Sequence, residues 1–91
     1  MITAFVMIEA DAKSIPETAQ SISDIEGVSE VYSVAGSDWD LIAIVRVRDH
    51  EQLAEIIPQR ISKAEGVVST TTNIAFRAFS QHDLEAAFSL D

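Results

Sequence analysis

The chain has 91 residues, with 15 acidic against 6 basic side chains and a formal net charge of −9, a balance that phosphate backbones repel and that disfavours direct nucleic-acid binding. It has no cysteine, which excludes disulfides and thiolate metal sites. No apolar run reaches the ~18 residues of a membrane helix and the start is not of the signal type, so one soluble, cytoplasmic domain over residues 1–91 is expected, with no membrane partner.

Ile2 to Ala10 (ITAFVMIEA) is almost wholly apolar and reads as a first strand buried on both faces. Asp11–Lys13 is a polar loop. Ser14 and Glu17 have the spacing of a capping box, in which the hydroxyl accepts from the third helical N–H and the carboxylate returns to the cap. Pro16 suits the first helical turn, where its missing N–H has no partner anyway. Ile15, Ala19 and Ile22 give this first helix its apolar stripe, and Gly27 stops it. Val28 to Ala35 mixes polar and apolar residues, as an edge strand does.

The rest of the chain is organised around Val34–Val47. A strand ends, a polar turn carries Gly36, Asp38, Trp39 and Asp40, and Leu41–Arg48 forms a second strand apolar on both faces. Gly36 is expected to supply a positive-φ turn position. Asp49 and Gln52 predict another capping box, and Leu53, Ile56, Ile57, Ile61 and Ala64 the apolar side of a second helix. Pro58 falls inside that helix, so a kink or restart is expected near Ile57. Gly66 ends it, Val67–Phe79 is the last strand, and Ser80 with Asp83 predicts the cap of a short C-terminal helix through Phe88.

A repeat underlies this order: Ile22-Ser23 and Glu26-Gly27-Val28 recur as Ile61-Ser62 and Glu65-Gly66-Val67. Two similar βαβ halves make a ferredoxin-like βαββαβ domain of the α+β class, a four-stranded antiparallel sheet with two helices on one face. In this plan the first and third strands are central. Helices cover one face only, so the other exposes either Thr3, Phe5 and Met7 or Ile2, Ala4, Val6 and Ile8. A sheet-on-sheet homodimer would bury that surface.

Little in the chain points to catalysis. His50 and His82 sit at cap-like positions, and Asp38 and Asp40 are as readily turn-forming residues as an acid–base pair. The Ser69–Thr72 run is either plain β-propensity or a row of hydroxyls along a polar pocket. No nucleophile–base pair, phosphate loop or metal set is visible, and no cofactor is expected. Trp39, Asn73 and a histidine leave one enzyme alternative, the small dimeric ferredoxin-like monooxygenases, some of which use those residue types.

Taken together, the Glu-Gly-Val helix exits, Gly36 before Asp38-Trp39-Asp40-Leu41, the Ile42-Ala43-Ile44-Val45 strand, and Gly66-Val67 leading to Thr70-Thr71-Thr72 resemble the effector-binding (RAM) domain of the Lrp/AsnC feast/famine regulators. The resemblance runs over essentially the whole chain. Family members usually carry an N-terminal helix-turn-helix domain, and with the first strand at Ile2 the chain is similar to the stand-alone forms. It implies a non-enzymatic sensor or co-regulator in transcription. Its dimers would associate into higher oligomers, bind a small effector, usually an amino acid, and mix with full-length regulators. By position it points to Gly36, Asp38, Trp39, Asp40, Thr70 and Thr72 as effector contacts. The family pattern places two residues between this Gly and Asp, whereas three separate Gly36 from Asp40, so Asp38 and Asp40 both stand as candidates for the effector's ammonium.

Overall fold

The computed structural model of the chain describes residues 1–36 and 38–80. The C-terminal helix expected through Phe88, and His82 with it, lie outside the described residues. Strands β1 (Ile2–Ala10), β2 (Val28–Ser33), β3 (Leu41–Val47) and β4 (Val67–Ile74) alternate with helices α1 (Ile15–Ser23) and α2 (His50–Glu55) in the order βαββαβ. The sheet order is β2-β3-β1-β4, every neighbouring pair antiparallel. The two most apolar strands are therefore central and the two mixed ones are edges, as their composition demands.

Burial alternates along β1 and β3. Ala4, Val6, Ile8, Leu41, Ala43, Val45 and Val47 face the helices and pack with Ile22, Leu53, Ile56 and Ile61. Thr3, Phe5 and Met7 are the set that points away. Within one protomer the helices bury one face fully, because both lie on the same side, while on the other face, among the described residues, only Ile44, at 7% exposure, is buried. On the open face Phe5 is 39% and Tyr32 50% exposed. Phe5 stands opposite Ile44, and Met7 opposite Ile42. This apolar centre is narrower than the strand composition suggests. On the β2 side Glu30 bridges the Tyr32 hydroxyl and the Arg46 guanidinium, the latter at 3.3 Å. On the β4 side the Ser69 hydroxyl donates to Glu9 Oε1 at 3.0 Å.

The helix starts divide. At α2 the capping box is complete: the Asp49 carboxylate accepts from Gln52 N and the Gln52 side chain accepts from Asp49 N. At α1 the expected Ser14–Glu17 box is absent. A 3₁₀ turn over Ala12–Ser14 precedes the helix, and Asp11 caps that turn by accepting from Lys13 N. The loop residue nearest the bend has the better oxygen, and the Ser14 hydroxyl instead lies 3.4 Å from Thr18 Oγ1.

Pro58 acts about one turn ahead of itself. Regular helix stops at Glu55 and a π-helical segment, Ile56–Ile61, follows, closed by Ser62 N donating to Ile57 O at 2.9 Å. The wider turn accommodates a ring that cannot donate and would crowd a tighter one. It also keeps Ile56 and Ile61 both in the core, a spacing that suits a five-residue turn. The repeat is visible in the backbone: Gly27 (φ 98°) and Gly66 (φ 92°) take the left-handed conformation after their helices. Gly36 does not, contrary to expectation, and a Cβ there would meet nothing within 4 Å. β4 ends at Ile74, short of Phe79, because β1 has almost no residues left to pair. Ala75 N makes the last bond, to Thr3 O at 2.8 Å, and Phe76 beyond it is fully exposed.

Candidate functional site

The turn between β2 and β3 is closed by Val34 N donating to Asp40 O at 3.0 Å. Asp40 then clamps β1 twice. Its amide donates to Ile8 O at 2.9 Å, and its Oδ2 accepts from Ala10 N, also at 2.9 Å. The second bond falls where the β1–β4 register slips between Glu9 and Ala10. A bulge takes an amide out of the ladder, and the half-buried carboxylate satisfies it. Asp40 is therefore a structural staple as well as a candidate ligand contact. A carboxylate accepts at roughly four lone-pair sites, so one amide bond does not exhaust it. Gly36 and Asp38 are exposed at the tip, and Trp39 is half-buried.

Thr70 pairs with Ile8, which in turn pairs with Leu41, and Thr72 stands one step further in, opposite Val6. Gly36, Asp38, Trp39, Asp40 and Thr70 thus gather at one end of the sheet, whereas Thr72 lies toward its middle. β1 lies between the turn and Thr70, so the separation is two strand spacings, ~9–10 Å. Both threonines sit on the helix side of β4 and are half-buried, and the Thr70 hydroxyl is 3.3 Å from Ser62 Oγ. Ser69, Thr71 and Asn73 take the open face.

Among the described residues, those of the enzyme alternative do not converge. Trp39 precedes β3, His50 follows it, and Asn73 is level with Phe5 in mid-sheet. The two ends of β3 are ~20 Å apart. Among the described residues no group of three or more His, Cys, Asp or Glu is placed to hold a metal ion, and no helix is long and apolar enough to cross a membrane.

One feature escapes sequence inspection. A cleft of about 400 Å³ opens at the far end of the sheet, where β3 runs out and the α1–β2 loop passes, floored by Gly27, Val47 and Ile56 and rimmed by Glu26, Arg48 and Gln52. Its members come from distant segments, and the Glu26-Gly27 motif alone does not reveal that they meet.

Element order and strand order define a ferredoxin-like α+β domain, with the polar turn residues and Thr70 collected at one sheet end. Residues 3–84 match the family model described as the Lrp/AsnC ligand binding domain, and the chain belongs to that family. It is 38% identical over 77 residues to an uncharacterized HTH-type transcriptional regulator of Pyrococcus furiosus, covering 81% of this chain and 51% of the relative. A Pyrococcus horikoshii regulator described in the same words matches over the same shares, also at 38% identity. The chain thus spans about half the length of these curated relatives. Among solved structures, a Thermus thermophilus protein is 42% identical with a TM-score of 0.82, covering 89% of this chain and 100% of that one. A feast or famine regulatory protein from M. tuberculosis, complexed with L-methionine, is 32% identical with a TM-score of 0.68, covering 89% of this chain and 54% of that one.

Proposed function

We propose that this domain is a non-enzymatic, cytoplasmic sensor module of transcriptional regulation that binds an amino acid at the Gly36–Asp40 end of the sheet. The supporting observation is the gathering of the exposed turn, the Asp40 carboxylate and Thr70 at one end of the sheet. Turn amides suit a carboxylate, and Asp38 or Asp40 suits an α-ammonium through a charge-assisted bond. The M. tuberculosis relative with bound L-methionine supports the ligand class. The gap of two strands between turn and Thr70 fits a pocket completed by a neighbouring copy, with the turn of one chain facing the threonines of another.

The same reading makes the domain, residues 1–91, a homodimer through the open sheet face, where Phe5 is exposed and Met7 and Ile42 are half-buried around Ile44, with dimers associating further. Full-length Lrp/AsnC-type regulators are its natural protein partners. Direct DNA binding is not part of its work, given the net charge of −9.

A thermal-shift screen of the twenty amino acids, run beside native mass measurement, tests both halves. At a hundredfold excess over Kd a bound effector adds ~2.7 kcal/mol, which for a domain this size raises Tm by ~10–20 °C. Absence of any shift across the panel in an intact oligomer overturns the ligand reading. A folded monomer at micromolar concentration overturns the assembly reading.

A further inference from the structure

We infer that the cleft at the far end of the sheet is a second small-molecule site, built for a zwitterion with an aliphatic side chain. It does not rest on the turn-end reading: Val47 closes β3, with Arg48 next in the chain, at the end opposite Asp40, ~20 Å away.

The cleft draws Arg46, Arg48 and Arg60 to one place in a chain with only 6 basic residues and a net charge of −9. Two of the three are engaged: Arg46 with Glu30 and Arg60 with Glu55, each at 3.3 Å. Arg48 and Glu26 line the same cleft, and no ion pair joins either to a described residue. Among the lining side chains the charges left over are therefore one cation, Arg48, and one anion, Glu26, with Met1 also at the edge of the cleft. Arg48 is also fixed at its backbone, since its amide donates to Gln52 Oε1 at 2.8 Å.

The floor between them is apolar, with Val47 4% and Ile56 8% exposed. Gly27 makes this floor: at φ 98° it turns the chain past the cleft, and a Cβ there would collide with Ile56 Cδ1. A guanidinium takes a carboxylate in a two-pronged bond, a carboxylate takes an ammonium, and the floor takes the alkyl chain. Neither a simple anion nor a simple cation satisfies both the Arg48 and the Glu26 side chains; an α-amino acid does.

L-norleucine, hexanoate and pentylamine separate these contributions, being one alkyl chain with both charged groups, the carboxylate alone and the ammonium alone. The wild-type oligomer is titrated with each while the Gly27 amide and the Val47 and Ile56 methyl signals are followed by NMR. Norleucine is expected to move all three, with hexanoate and pentylamine at least tenfold weaker. Arg48→Gln and Glu26→Gln are each expected to weaken norleucine at these signals at least tenfold, while Asp38→Asn leaves them unchanged. Both cleft substitutions are at exposed positions, and unchanged spectra elsewhere check the fold. If norleucine moves only signals of the Gly36–Asp40 turn, the turn-end reading survives and the cleft proposal fails. If hexanoate binds as tightly as norleucine, Glu26 has no part and the zwitterion assignment fails. If none of the three probes moves a cleft signal up to 10 mM, a ceiling about tenfold above a ~1 mM, ~4 kcal/mol interaction, the cleft is only a surface feature.

Discussion

Gly66→Ala is expected to be among the most damaging one-carbon changes in this protein. At φ 92° an L-residue is strained, at ~1–3 kcal/mol for a sparsely populated backbone conformation. The added Cβ would collide with Thr18 Oγ1 and lie 3.0 Å from Ser14 Oγ. Thr18 is only 2% exposed, and its hydroxyl donates to Glu65 O at 3.2 Å. To make room the hydroxyl must swing off its acceptor, which leaves a buried polar group unpaired at ~1–3 kcal/mol. Alanine returns ~0.4–1 kcal/mol by restricting the unfolded chain. The net is a loss of ~2–4 kcal/mol, or a Tm lower by ~10–25 °C for a domain of this size. Urea unfolding of Gly66→Ala, Thr18→Ala and the double variant measures it. In the Thr18→Ala background the colliding oxygen is gone, so Gly66→Ala should cost only its backbone part, leaving a coupling of ~1 kcal/mol or more between the sites. A Gly66→Ala cost below ~1 kcal/mol, the low end of the backbone strain alone, or an equal cost in both backgrounds, would refute the reasoning.

Gly36→Ala makes the contrast: with nothing within 4 Å of its Cβ and no left-handed φ, its unfolding midpoint should match wild type within ~0.5 kcal/mol. Phe5→Asp on the open face should leave the protomer folded and shift sedimentation from dimer toward monomer, whereas Val45→Asp, with no exposure at all, should abolish the folded circular-dichroism spectrum because it buries an unpaired charge. Asp49→Ala removes the cap of α2 and should lower stability by ~0.5–2 kcal/mol in denaturant titration. The Tyr32 hydroxyl, then Arg46, hold the Glu30 carboxyl below the ordinary glutamate value. A depressed folded value means that this pairing stabilises above the unfolded pKa and is lost as pH falls through the folded one. NMR titration should therefore place the Glu30 midpoint below ~4.3, the usual value, and Tyr32→Phe should raise it. At the other end of the scale Glu30 raises the Tyr32 phenol, so that side of the pairing is lost only as pH rises through the elevated folded value.

What could be read from the chain divides along physical lines. The doubly apolar ITAFVMIEA and LIAIVRV segments announce central strands, and a Glu-Gly-Val repeat announces two helix exits; both are local signals, and Gly27 and Gly66 carry them into the backbone. Asp49 and Gln52 suffice for a cap because both bonds close within one turn. Ser14 fails as a cap because a 3₁₀ turn capped by Asp11 leads into the helix and the Ser14 hydroxyl lies against Thr18 Oγ1 instead, an arrangement that spacing does not reveal. The second role of Asp40 was not legible at all: its partner, the Ala10 amide, is freed by a bulge that exists only once β1 pairs with β4. The distant cleft is invisible for the same reason, since Glu26, Val47 and Ile56 meet only in the fold.

The most direct test of the turn-end site is calorimetric titration of the wild-type oligomer with the amino acid that gives the largest thermal shift, repeated with Asp38→Asn, Asp40→Asn and Thr70→Val at unchanged mass. Losing a charge-assisted bond worth ~1.5–3 kcal/mol weakens binding ~10–150-fold. That loss is expected in one of the two aspartate variants, with a smaller loss in Thr70→Val. Wild-type affinity in all three would contradict the account and place the effector elsewhere on the domain.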